Sequence, residues 1–106
     1  MIKENKVERN RVFIVNKSAH DFSDAERFGT LVFITEGKLN RFSANDMHRQ
    51  AALVFAESVS TIHDYIVPCS LNVLNSIVCA TFACKHGRLN LLLFKQGKYI
   101  ERNIIF

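Results

Sequence analysis

Val12-Phe13-Ile14-Val15, running straight into Asn16-Lys17-Ser18-Ala19-His20-Asp21, is the stretch that decides the fold. A strand with one wet face alternates apolar and polar residues. A continuous apolar run rich in β-branched side chains suits a strand buried on both faces. The pattern recurs twice, in Leu31-Val32-Phe33-Ile34 before Thr35-Glu36-Gly37 and in Tyr65-Ile66-Val67 before Pro68-Cys69-Ser70. In an open α/β sheet the polar ends of parallel strands collect at one edge, which is where ligands bind.

Helix signals fall between the runs. Ser23-Asp24-Ala25-Glu26 reads as a capping box, the Ser hydroxyl accepting from a first-turn amide while Glu26 reaches back. Gly29 then reads as a left-handed helix stop. A second strand is expected over residues 30–35, followed by a loop over 36–42. Ser43 and Asp46 repeat the capping pattern and open a helix to about Val59. Its Met47, Ala51, Val54, Phe55, Val59 and Ile62 fall on one stripe, with Arg49, Gln50 and Glu57 off it. A third strand over 64–67 is broken by Pro68, which has no amide for a ladder. Ser70 is then expected to cap a helix over 71–85, closed by Gly87, with His86 favoured by the helix dipole. Apolar residues around most of its circumference make it the most buried helix. A fourth strand over 89–94, a tight turn at Gln96-Gly97 and an antiparallel fifth over 99–105 complete the chain.

Helices between successive strands favour parallel pairing with right-handed crossovers. The expected fold is therefore a single small Rossmann-like α/β domain over residues 11–106, preceded by a flexible arm over 1–10. Its sheet has about five strands, mainly parallel, with an antiparallel hairpin at the carboxyl-terminal edge.

With 106 residues and 48% hydrophobic content the chain can build one continuous core, drawn from its nine Phe and its Ile, Leu and Val. Fourteen Lys and Arg against ten Asp and Glu give a net charge of +4, which permits an anionic partner without requiring one. The basic residues are scattered rather than gathered into a patch, so nucleic-acid binding is not favoured. Cys69, Cys79 and Cys84 are odd in number and lack paired C-x-x-C spacing. They read as core thiols in a reducing, cytoplasmic setting, not as a disulfide framework or a zinc site. No signal peptide is legible, and the apolar stretch 71–84 is broken by Asn72, Asn75 and Ser76, short of the ~20 residues a membrane span needs.

The densest set of reactive groups is the loop after the first run. Lys17 can meet an anion, His20 can move a proton, and Asp21 can orient His20 or act as a base. The competing structural account is a solvated turn in which Asn16, Ser18 and Asp21 bond their own backbone. Thr35, Glu36, Ser70 and Asn72 join this set if the three strands are neighbours. The free amides at the start of the second long helix can hold a phosphate or carboxylate there, or Ser70 is simply the cap. Cys69 or Ser70 with His20 frames a nucleophile, though only geometry can establish one. There is no G-x-x-x-x-G-K or G-x-G-x-x-G string, and His48, His63 and His86 form no metal pair. No cofactor or metal is implied.

The strings from Val12 to Gly29, Leu31 to Gly37 and Lys85 to Phe94 resemble a family of small uncharacterised proteins encoded by bacteriophages. The likeness covers nearly everything after Asn10. That family has no assigned activity, so no functional residues carry over; it implies a cytoplasmic accessory role during infection. The expected function is accordingly a binding protein that engages a host protein or a small anionic ligand at the strand-end edge. A nucleotide hydrolase or transferase using His20 and Asp21 is the enzymatic alternative, and a nucleic-acid binder the third. An open edge at residues 99–105, with Ile104-Ile105-Phe106 beside it, also suits a homodimer.

Overall fold

Nothing polar interrupts Val12 through Val15, and the four side chains are at most 1% exposed, so β1 (Arg11–Lys17) has to lie inside the sheet with both faces covered. In the computed structural model, which describes residues 9–36 and 43–106, it does. A short 3₁₀ segment (Ser23–Arg27) leads to β2 (Thr30–Glu36). Then come α1 (Ala44–Glu57), β3 (Tyr65–Val67), α2 (Asn72–His86), β4 (Arg88–Lys95) and β5 (Lys98–Ile105). The five strands are ordered β2-β1-β3-β4-β5, parallel except for the β4–β5 hairpin.

Both faces of β1 are used. Phe13 and Val15 join Ile34, Ile66 and Leu89 under α1 and α2, which contribute Met47, Ala51, Phe55, Leu74, Val78 and Phe82. Val12 and Ile14 face the other way, onto Ala25 of the 3₁₀ segment, Val67, Leu92 and Tyr99. Each large apolar side chain removed from water contributes about 1.5–3 kcal/mol, so these two clusters dominate the stability. The chain leaves β1 toward β2 along one face and returns toward β3 and β4 along the other. That change of face is what a constant crossover hand requires when the direction of travel reverses.

The sheet also curls. The 3₁₀ segment lies against β1, yet it reaches the first turn of β5: the Asp24 carboxylate accepts from the Tyr99 amide at 2.7 Å and the Arg27 guanidinium donates to the Tyr99 carbonyl at 2.6 Å. Asp24 and Arg27 pair with each other at 3.2 Å. The hairpin turn at Gln96-Gly97 has positive φ at both residues (52° and 83°), the conformation that fits the twist of a two-residue hairpin.

Several local expectations are corrected. Ser23 does not cap the first segment, which is a five-residue 3₁₀ helix; the Asp21 carboxylate accepts from the Ser23 amide instead. Gly29 is not left-handed. Its role is close approach, since a Cβ there would lie 2.2 Å from the Asn10 carbonyl oxygen, which accepts from Thr30. Of the expected arm, residues 1–8 lie outside the described residues, as do 37–42 of the loop. Ser43 caps α1 as expected, through the Asp46 amide. The helix ends earlier than its apolar pattern suggests. Val59 (68% exposed) and Ile62 (42%) face solvent, and only Met47, Ala51 and Phe55 of the stripe are fully buried. The cause is a Schellman-type end, with Ser60 donating to the Phe55 carbonyl, Val59 to that of Ala56, and Val59 held at φ 53°.

Ser70 does not cap α2; the residue at the cap is Leu71, and no side chain serves it. Nor is α2 enclosed. It buries Leu74, Val78 and Phe82 while Val73 on its outer side is 57% exposed, because helices cover only one layer on this face. Cys84 is exposed rather than in the core, and Cys69 and Cys79 are half-buried. His86 accompanies the left-handed Gly87 end, but as a largely covered ring on Phe82, 2.9 Å from the Ser60 hydroxyl. Burial, helped by the Lys85 charge, pushes its pKa below the usual 6.5 and outweighs the nearby Asp64. Asp64 itself is no surface residue. It is 1% exposed and accepts from the Arg11 and Thr61 amides, each at 2.8 Å. Asn90 donates to the Ile62 and Asp64 carbonyls, tying the amino ends of β1, β3 and β4 together. Among the described residues no helix is long and apolar enough to cross a membrane.

Two outcomes follow. Val59→Gly should raise stability by about 1 kcal/mol in urea unfolding, because a left-handed β-branched residue is strained and its side chain packs little. His86 favours its neutral form when folded, so stability should fall as pH drops below 6.5, where the unfolded chain takes up the proton first. His86→Gln should remove that slope, whereas loss from Asp21, Asp24 and Asp46, all held below the usual 3.8, sets in only at more acid pH.

Candidate functional site

The strand order reverses between β1 and β3, so the chain departs to opposite sides beyond their carboxyl ends and leaves a crevice there. β4 runs on past β3, to which it is paired at Ile66 and Leu91, and the hairpin tip supplies a third wall. The result is a cleft of about 470 Å³. Asn16, Ser18, His20 and Phe22 line it from the β1 loop, Val67 to Leu71 from the β3 loop, and Leu92, Leu93, Phe94 and Tyr99 from the hairpin.

The β1 loop is shaped by its own polar groups. Buried Thr35 lies with its hydroxyl 2.8 Å from the Val15 carbonyl and 2.6 Å from the Asn16 side-chain amide, which fixes Asn16 at the rim. The Ser18 hydroxyl accepts from the His20 amide at 3.2 Å and Asp21 from Ser23 at 2.9 Å, so the turn account of these residues is realised. That places the His20 ring edge-on to Phe22 (centroids 5.0 Å) and Phe94 (4.6 Å), with Tyr99 at 6.2 Å. Phe94 and Tyr99 touch at 4.9 Å. Three aromatic rings and an imidazole thus form one wall. Burial, with the Asp21 and Asp24 carboxylates, raises the Tyr99 pKa and keeps its hydroxyl protonated.

The β3 loop is held from below. Asn75, one turn into α2, accepts from the Cys69 amide at 2.8 Å and donates to the Cys69 carbonyl, while the Leu71 amide donates to the Cys69 sulfur at 3.4 Å. With Ser70 exposed and Leu71 at the cap, the first amides of α2 have no side-chain acceptor. Ser70 and Leu71, the two residues that lead into the helix, line the cleft, while the helix residues that carry those amides stand behind them.

Of the residues singled out in the sequence, Asn16, Ser18, His20, Cys69 and Ser70 meet in this cleft. The others do not line it. Lys17 turns to Glu36, 3.6 Å away, and lies over the Phe33 ring. Asp21 is spent on the Ser23 amide, which holds its pKa below the usual carboxylate range. Thr35 acts from behind Asn16, and Asn72 gives its carbonyl to Ser76. Among the described residues no hydrogen bond joins His20 to Asp21, Cys69 or Ser70, so neither a base pair nor a nucleophile is assembled. Nor do three His, Cys, Asp or Glu side chains among them converge on a metal position.

The wall residues Leu92, Phe94 and Tyr99 escaped the sequence reading. Their signal was present in the hairpin: a two-residue turn at Gln96-Gly97 pairs Phe94 with Tyr99, and a parallel β4 brings that pair to the same edge as Asn16.

Asn75→Ala should free the Cys69 backbone and loosen the cleft floor. Losing two buried hydrogen bonds is worth about 2 kcal/mol in denaturant unfolding, and amide exchange should accelerate at Cys69 to Leu71 before the rest of the sheet.

No curated protein and no solved structure matches the chain. Residues 10–105 do match a family, described as Phage Pam3 gp32-like protein. That span takes in every strand and helix that shapes the cleft, and it is to this phage family that the chain belongs.

Proposed function

We propose that the protein is a small phage accessory factor that binds, without turning over, a small ligand combining a planar ring with an anionic group. The observation that carries this reading is an aromatic wall in a cleft whose rim, Ser70 and Leu71, leads directly into a helix start that has no side-chain cap. The ring stacks or sits edge-on against His20, Phe22, Phe94 and Tyr99, contacts that add about 0.5–1.5 kcal/mol each beyond burial. The anion meets the first amides of α2, where aligned peptide dipoles favour negative charge.

Size favours a small ligand over a host protein, because a cleft of about 470 Å³ takes one small molecule, whereas a stable protein interface covers about 800 Å² on each side. Binding is favoured over catalysis because the Asp21 carboxylate accepts from the Ser23 amide and, among the described residues, no hydrogen bond joins it to His20. A nucleic-acid partner is disfavoured, since Lys17, Arg27 and Arg49 are each drawn to a carboxylate instead of forming a basic surface. The protein would act in the host cytoplasm, where its three free thiols are stable.

Thermal shift with adenosine monophosphate, adenosine, benzoate and inorganic phosphate tests the reading. A compound carrying both ring and anion, at ten times its Kd, should stabilise the fold by about 1.4 kcal/mol, roughly 5 °C or more in Tm. Adenosine and phosphate alone should do less, and Phe94→Ala should abolish the shift. Equal response to all four, or a shift that survives Phe94→Ala, would exclude this site.

A further inference from the structure

The outer edge of β5 has one protected position and three open ones. The Phe106 amide donates to the Gly87 carbonyl on the β4 side, so even-numbered residues of β5 face β4 and the odd-numbered ones point their N–H and C=O outward. Tyr99 is outward, and both of its groups are taken, by Asp24 and Arg27 of the 3₁₀ segment. Glu101, Asn103 and Ile105 are outward too and exposed; among them the Glu101 carbonyl accepts from the guanidinium of its neighbour Arg102. Beside this open row lie Ile104 (43% exposed), Ile105 (75%) and Phe106 (73%).

We infer that a second copy of this chain pairs along that row, β5 against β5 in antiparallel register, about a two-fold axis at Asn103. Only one register uses every open position and none that is plugged. It sets Asn103 against Asn103 of the other copy, Glu101 against Ile105 and Ile105 against Glu101, three pairs that each exchange both backbone groups. Arg102 then lies across from Ile104, and Tyr99 stays outside. Moving the axis to Arg102 sets two guanidinium groups face to face and calls on Tyr99, whose N–H and C=O are occupied. Moving it to Glu101 opposes two carboxylates, and moving it to Ile104 sets Glu101 beyond the span of β5 in the other copy. Like charges directly across a ladder destabilise it, so the register at Asn103 is selected. The interface is isologous, makes one continuous sheet through both molecules and sets Ile104 and Ile105, one on each face, against the cross-strand side chains of Arg102 and Glu101.

Sedimentation or light scattering from micromolar to millimolar protein should find twice the mass of one chain. Asn103→Pro removes an outward N–H and no β4 bond, so it should give a monomer with an unchanged circular dichroism spectrum. Ile105→Glu, which opposes Glu101 of the other copy, should also give a monomer, and adding Glu101→Arg to it should restore the dimer. In the wild type the Glu101, Asn103 and Ile105 amides should be protected from exchange and lose that protection on dilution. A wild type that is monomeric at every concentration, a dimer that survives both single substitutions, or a failure of the charge swap to restore it would overturn the inference.

Discussion

One strand that cannot touch water on either side governs this structure. β1 carries four consecutive apolar side chains, alternately directed to the two faces, and each face needs its own cover. A chain this short meets the demand by leaving β1 in one direction under the 3₁₀ segment and coming back over it with two helices. The strand order reverses at β1 as a consequence, and so does the path of the chain beyond its carboxyl end. The cleft is thus a by-product of covering β1, not a separate construction.

The polar groups inside act as clamps at the two ends of the same strands. At the amino ends, a buried carboxylate is tolerable only because two amides, those of Arg11 and Thr61, meet its oxygens, and Asn90 extends the clamp to β4. At the carboxyl ends, Thr35 fixes Asn16 and Asn75 fixes Cys69. Between them the strands are held by their backbone ladders and by apolar packing. The cleft lies at the carboxyl end, where side chains bridge loops instead of strands.

Much of this was legible from periodicity. The strands, their order of use, the parallel pairing and the hairpin all follow from where apolar runs sit relative to turn residues. What could not be read were the contacts between segments remote in sequence. Ser23-x-x-Glu26 is a correct capping string that lost to Asp21, because the nearer carboxylate already reached the Ser23 amide. Val59 continued the stripe of α1 on paper, yet the chain had to turn toward β3 and twisted it out. His86 beside a Gly stop suggests a charged helix end, but Phe82 and Ser60, brought by folding, made it a covered neutral ring. Lys17 and Asp21 carry the chemistry most easily noticed in the sequence; Lys17 was claimed by Glu36, a partner remote along the chain, and Asp21 by the local turn its sequence allows.

Tyr99 is where these constraints meet. Its ring belongs to the second core cluster and to the cleft wall, while its backbone groups are held by Asp24 and Arg27 on the far side of the crossover. An N–H and a C=O at the start of an edge strand normally invite another strand. Here a carboxylate and a guanidinium, paired to each other, stand in for that strand at one position and stop the open row short of the cleft. The same two side chains therefore tie the start of β5 to the 3₁₀ segment and decide where the free edge begins. Because Asp24 and Arg27 remain partly in solvent, their hold is screened, and the apolar contacts of the Tyr99 ring must carry most of the closure. Cleft and sheet edge are for that reason not independent surfaces: one tyrosine lines the first with its ring and closes the second with its backbone.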